Sequence, residues 1–313
     1  MITNFDQMLE EVKARPRKSV AIAVAHDRTI IEAAAEARRQ DIAEAVLVGD
    51  REKIENIATE LDISLDNMRI VDESNELLAV RSAVEMTSSG EVDMAMKGHV
   101  HTDDFLRGVL DKEIGLRTGY LMSHVSLLEI KHLNRLVFIT DGAMNIQPSL
   151  EEKAQIILNA VQLANIFGIS QPKVSVLTAI ELVNPKMPST LDAAALGKMG
   201  DRGQFSAGIV DGPFALDDAI SELAAQNKHI SGPVAGKADI LVVPNVEAGN
   251  MLSKAFVYFA KGRIAGVLMG ARMPVVLTSR ADSAEAKLLS IAAGVFISNV
   301  QGRLSIKIGK VHY

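Results

Sequence analysis

Ser279 and Arg280 close an apolar, β-branched run that begins at Val275, and Ala281, Asp282 and Ser283 then lead into an alanine-rich helical pattern through Leu289. A hydroxyl and a guanidinium at the C-terminal end of a strand, just ahead of a helix N-terminus, suit an anion. Backbone N–H groups and the helix dipole both favour negative charge there. A phosphate or acyl phosphate fits such a place. The same pair also stands in ordinary strand-to-helix loops, with Ser283 as N-cap and Arg280 solvated, so two residues alone leave both readings open.

A second cationic stretch, Lys97-Gly98-His99-Val100-His101-Thr102-Asp103-Asp104, follows the apolar run Val92 to Met96 and precedes a helix carrying Phe105, Leu106, Val109 and Leu110. Lysine and glycine at a strand end, with Thr102 as the helix cap, would grip a phosphate by charge and backbone amides. Arg107 lies in that helix and Arg117 in the turn beyond. A third loop, Pro244 to Asn250, opens another helix, and its Gly249 would let backbone amides approach a ligand closely or else permit tight packing. His99 and His101 have the alternate spacing of strand ligands, and His124 and His132 follow. No carboxylate or cysteine stands at a familiar metal spacing, and no metal site is expected. Asp103 and Asp104, as neighbours in a first helical turn, are expected to complement the helix dipole rather than to form a catalytic pair.

The elements that must position these residues alternate. Ser19 to Ala25, Ala45 to Gly49, Met68 to Val71 and Val92 to Met96 read as strands, with helical patterns between them, which predicts a parallel α/β sheet. Tyr120 to Ile130 and Leu136 to Thr140 are two more strands, and Ser149 with Glu152 forms a capping box at the head of a long helix. The polar segment before Ser149 is the expected crossing between domains. Strands are then expected at Lys173 to Thr178, Ala207 to Val210, Ile240 to Val243, Ile264 to Met269 and Pro274 to Thr278. Helical stretches are expected near Leu191 to Lys198 and Leu216 to Ala225, and a short strand after Gln301.

With 313 residues, 48% of them hydrophobic, the chain can fill two domains or one large unit with a cleft. A net charge of -6 without any basic run argues against a nucleic-acid surface. The absence of cysteine excludes disulfides, thiolate metal sites and a cysteine acyl-enzyme. Without an apolar leader in Met1 to Ser19 or a run long enough to cross a bilayer, the expected setting is a soluble protein of the cytoplasm with no membrane partner.

An ordered series of segments resembles the phosphate acetyl/butyryltransferase family, most closely its butyryl branch. The segments are Met96-Lys97-Gly98, Gly115-Leu116-Arg117-Thr118-Gly119, Ser123-His124-Val125, Val183-Asn184-Pro185-Lys186-Met187-Pro188, Asp211-Gly212-Pro213 with Asp217, Gly232 to Asp239, Pro244 with Gly249-Asn250, and finally Ser279-Arg280. The resemblance implies reversible transfer of a short acyl group between coenzyme A and inorganic phosphate, with no metal and no bound cofactor. It also implies an isocitrate/isopropylmalate dehydrogenase-like fold of two α/β domains. The second would be inserted into the first with the active-site cleft between them, residues 1–141 with 277–313 against 142–276. A homodimer or larger homo-oligomer is expected.

On that resemblance Ser279 and Arg280 are the catalytic pair, Arg107 faces coenzyme A, and Lys97, Gly249 and Asn250 line the cleft. The acetyl branch carries an aspartate seven residues beyond the serine, where this chain has Ala286, which leaves Asp282 or Glu285 as candidate bases. Phosphate acetyltransferase activity, an NAD(P)-dependent dehydrogenase of the same fold and a non-catalytic regulatory domain are the alternatives. A dehydrogenase would need a carboxylate cluster and a nucleotide loop, and neither can be assembled from this sequence.

Overall fold

The structure, a computed structural model, describes residues 1–130 and 133–301. His132 and the short strand expected after Gln301 lie outside the described residues. The chain opens with helix α1 (Phe5–Lys13), then alternates strand and helix as β1 (Lys18–Ala23), α2 (Arg28–Arg39), β2 (Ala43–Gly49), α3 (Arg51–Glu60), β3 (Arg69–Asp72), α4 (Glu76–Ser89), β4 (Met94–Lys97) and α5 (Thr102–Val109). β1 pairs in parallel with β2 on one side and β4 on the other, and β3 extends the sheet beyond β2. The parallel sheet predicted from the alternation is therefore present. Its strands β1, β2 and β4 are almost wholly buried, as expected for a sheet covered by helices on both faces.

The chain continues through β5 (Ser123–Glu129), β6 (Leu136–Thr140), α6 (Leu150–Ile166), β7 (Lys173–Leu177), α7 (Pro188–Asp201), β8 (Ile209–Phe214), α8 (Leu216–Ile220), α9 (Glu222–Asn227), β9 (Ile240–Val242) and α10 (Val246–Tyr258). β5 and β6 pair antiparallel, and β6, β9, β7 and β8 follow in parallel. The capping box at α6 is formed by Ser149 and Glu152. Gly168 ends that helix at a φ of 89°, a left-handed conformation that glycine adopts without strain. Two sequence expectations shift. The eighth strand starts at Ile209 rather than Ala207, and the helix expected over Leu216 to Ala225 breaks at Ser221, which ends α8 and caps α9.

The last elements are β10 (Arg263–Met269), β11 (Val275–Val276) and α11 (Ala284–Gln301). The expected strand from Pro274 to Thr278 shrinks to two residues, set between β10 (antiparallel) and β4 (parallel). α11 is buried on every face from Ala286 to Ile297, so within that stretch only Lys287 and Ser290 carry buried polar groups. Ser290 is satisfied by the Ala286 carbonyl and the Gly266 N–H.

Among the described residues two compact units result, one comprising Phe5–Tyr120 with Ile264–Gln301, the other Met1–Asn4 with Leu121–Arg263. β5 pairs with β6 and β6 with β9, while β10 joins β11 and β11 joins β4. Among the described residues, no helix is long and apolar enough to cross a membrane.

Candidate functional site

In the unit that contains β1 to β4, the chain leaves β1 toward β2 on one side and returns as β4 on the other. The C-terminal ends of β1 and β4 therefore flank a topological switch point, where open parallel sheets leave a crevice. Gly98 makes the crevice possible. Its N–H donates to the Ala23 carbonyl at 2.9 Å, and that of His99 donates to Val24 at 2.8 Å. A Cβ on Gly98 would stand 2.2 Å from the Ala23 oxygen. β11 lies on the other side of β4, with Val276 opposite Met96, and so brings the following residues up beside Lys97.

A cavity of about 480 Å³ opens there, lined by Lys97 at the end of β4, His101 in the loop after it, Thr102 and Asp103 at the start of α5, and Ser279 and Arg280 from the β11–α11 loop. Two cationic stretches that the sequence presents separately are thus brought together. Among the described residues, Arg280 is exposed and has no hydrogen-bond or ion-pair partner. Lys97 is 2% exposed. Its Nζ donates to the carbonyls of Gly98 at 3.1 Å and Val100 at 3.0 Å, holding its own loop. Burial, reinforced by the positive charges of Arg280 and Lys287, lowers its pKa to about 8.

Ser279 sits in a turn closed by Asp282. The Ser279 N–H donates to Asp282 Oδ2 at 2.8 Å, the Asp282 N–H returns to the Ser279 carbonyl at 3.2 Å, and the Ala281 N–H donates to Ser279 Oγ at 3.3 Å. Asp282, a candidate base from the sequence, thus has one carboxylate oxygen engaged in shaping the serine's loop. Glu285, the other candidate, is exposed in the first turn of α11. Ser283 caps that helix, its Oγ accepting from the Ala286 N–H at 3.2 Å.

Thr102 is the first residue of α5 rather than its cap; His101 holds the cap position without a side-chain hydrogen bond. Arg107, near the other end of α5, is exposed, pairs with Asp104 at 2.9 Å and does not line the cavity. Gly249 and Asn250 belong to the other unit. A Cβ on Gly249 would stand 2.8 Å from the Gly142 Cα, so the two backbones approach closely there, and Asn250 Nδ2 donates to the Gly142 carbonyl at 3.2 Å.

Beside the cavity lie groups that the sequence did not single out for chemistry. Asp27 caps α2, accepting from Ile30 N–H at 3.2 Å and Thr29 Oγ1 at 2.6 Å, and meets His99 Nδ1 at 3.2 Å across the switch point. Burial raises its pKa, but those two hydrogen bonds and the charges of Lys287 and His99 outweigh it, and the net shift is downward. Lys287 approaches from α11. Its only signal in the sequence is a lysine that heads a long apolar helical run. Among the described residues, no group of three or more histidines and carboxylates gathers as metal ligands would.

An α/β fold with a switch-point pocket offering a guanidinium, a lysine and a hydroxyl has the charge and the donors that suit an anionic group. The phosphate acetyl/butaryl transferase family matches residues 4–78 and 73–295, and the chain belongs to it. It is 49% identical over 298 residues to the phosphate butyryltransferase of Clostridium acetobutylicum, covering 95% of this chain and 99% of that one. To the phosphate acetyltransferase of Thermotoga maritima it is 48% identical over 288 residues, 92% of this chain and 98% of the other. The crystal structure of a branched-chain phosphotransacylase from Enterococcus faecalis V583 superposes with a TM-score of 0.79 at 31% identity, covering 90% and 99% of the two chains. These likenesses do not favour the dehydrogenase alternative.

Proposed function

We propose that the protein is a phosphate acyltransferase that moves a short acyl group, butyryl favoured, from coenzyme A to inorganic phosphate, giving acyl phosphate and free coenzyme A. The observation that carries this reading is the meeting of Ser279 and Arg280 with Lys97 in one pocket, in a chain 49% identical to a phosphate butyryltransferase. Phosphate would sit against the Arg280 fork, with Lys97 adding charge from below. A phosphate oxygen attacks the thioester carbonyl, negative charge develops on the carbonyl oxygen, and the Ser279 hydroxyl donates a hydrogen bond to that oxygen or to the departing sulfur. The carbon–sulfur bond then breaks and the thiolate takes up a proton. With no cysteine in the chain, transfer runs through a ternary complex rather than a thioester on the protein, and holding both substrates together supplies much of the rate.

In the reverse direction the thiol, with a pKa of roughly 8.5 taking cysteine as its guide, is mostly protonated near pH 7, so a base helps. Asp282 and Glu285 remain the candidates. The reading keeps Arg107 as a contact to coenzyme A. It keeps the inserted two-domain, dehydrogenase-like arrangement too, on which the proposed substrate contacts of Gly249 and Asn250 depend. A homodimer or larger assembly in the cytoplasm completes it.

The test is thiol release by purified protein given butyryl-CoA and phosphate, then acetyl-CoA in its place. The protein has no thiol of its own to add background. Phosphate-dependent release faster with butyryl-CoA supports the reading, faster release with acetyl-CoA moves it to the acetyl branch, and no release from folded protein rejects it.

A further inference from the structure

Lys287 is 1% exposed, and a lysine in that position is costly. Burial lowers its pKa, as expected for an ammonium removed from water. A methionine or leucine of similar volume would fill the same space in α11 without that cost. The ammonium is spent on two bonds. Nζ donates to the Asp282 carbonyl at 2.7 Å and to Thr29 Oγ1 at 2.8 Å. The first bond holds the turn whose other end is fixed by the Ser279 N–H on the Asp282 carboxylate. The second reaches the first turn of α2, where the Thr29 hydroxyl passes its own hydrogen to Asp27. One buried cation thus ties the loop carrying Ser279 and Arg280 to the end of β1 at the switch point.

We propose that Lys287 is a positioning residue of the anion site, fixing the Ser279–Arg280 turn through the Asp282 carbonyl and anchoring it to α2 through Thr29. The inference rests on the acyltransferase reading for its kinetics but on the anion pocket alone for binding. Without Lys287 the Asp282 carbonyl loses its donor and the turn loses its anchor to α2, which misplaces the hydroxyl and the guanidinium together while the hydrogen bonds that hold Lys97 in the β4–α5 side of the pocket remain.

The experiment compares the unsubstituted protein with Lys287→Met and Thr29→Val. Steady-state rates are measured with phosphate and butyryl-CoA varied separately, and melting temperature is measured with and without inorganic phosphate. For Lys287→Met the expected result is a rise of at least tenfold in KM for phosphate and a fall in kcat, with KM for butyryl-CoA within twofold. The melting temperature should be equal or higher, and stabilisation by phosphate should be lost. Thr29→Val, which leaves the lysine in place, should shift the phosphate KM in the same direction by less, and it carries the test should Lys287→Met not fold. Unchanged phosphate KM and phosphate stabilisation, or equal rises in both KM values, would overturn the inference. If the unsubstituted protein releases no thiol but is stabilised by phosphate in a Lys287-dependent way, the acyltransferase reading fails and this inference stands. Without phosphate stabilisation or thiol release by the unsubstituted protein, both fail.

Discussion

The Asp282 carboxylate accepts the Ser279 backbone N–H at 2.8 Å, so the residue three positions after the serine sets the serine's conformation. Asparagine can make the same bond and alanine cannot, which separates shaping the turn from taking a proton. Asp282→Asn is expected to keep kcat within about fivefold, whereas Asp282→Ala should lose about 100-fold, the scale of a misplaced catalytic group. Equal losses in both variants would give Asp282 the role of base. Rates of thiol consumption with butyryl phosphate and coenzyme A make the comparison.

Arg280 has no partner to lose, because among the described residues it is exposed and makes no hydrogen bond or ion pair. Arg280→Ala should therefore leave the melting temperature within about a degree while kcat/KM for phosphate falls on the order of 1,000-fold, as for loss of a charged transition-state contact. Arg280→Lys should recover only part of that, since an ammonium cannot bind two phosphate oxygens as a planar fork does. Near-normal turnover by Arg280→Ala would remove the pair from the mechanism.

Lys97, with its pKa at about 8, loses its charge as pH rises through that value. KM for phosphate is expected to climb between pH 7.5 and 9.5 in steps that follow this titration, while Lys97→Met shows a high KM that does not change over the same range. Stability moves in the opposite sense. Between about 8 and the ordinary lysine value of 10.5, the unfolded chain holds a proton that the folded chain has released, so the contribution of this group to stability rises with pH. Thermal melts of the two proteins across that window check the sign.

Gly98→Ala should fail structurally before it fails chemically. Its Cβ would meet two carbonyl oxygens of the neighbouring strand end, at 2.2 and 2.4 Å, and backbone does not yield as a side chain does. A loss of about 3 kcal/mol or more is expected, with the β4–α5 loop displaced. A melting temperature within a few degrees of the parent would show that the β1 and β4 ends can part.

Much of this was legible in the chain because strands and helices alternate with sharp hydrophobic periods, with Lys97 at the end of one strand and Ser279 and Arg280 in the loop after another. Periodicity does not report pairing. That β5 and β6 pair antiparallel, and that β6 then pairs in parallel with β9, depends on hydrogen bonds between distant segments. Gly249 reads equally as a ligand approach or a packing contact, and only the structure shows that a Cβ there would stand 2.8 Å from the Gly142 Cα. The burial of Lys287 is not legible, since a sequence shows that a lysine is flanked by apolar residues but not that all its faces are covered.

The pairing of Val276 with Met96 joins residues 180 apart in the chain. A contact of that span has a large closure cost and forms late in folding, after local and nearest-neighbour pairings. On the ribosome, β4 emerges with one side bare and waits through the whole of Leu121–Arg263 before β11 is made. The pocket is therefore an end-of-synthesis feature. Nascent chains stopped short of Val275 should hold the Lys97 half of the site without the Arg280 half, and should expose a hydrophobic strand edge of the kind that chaperones retain.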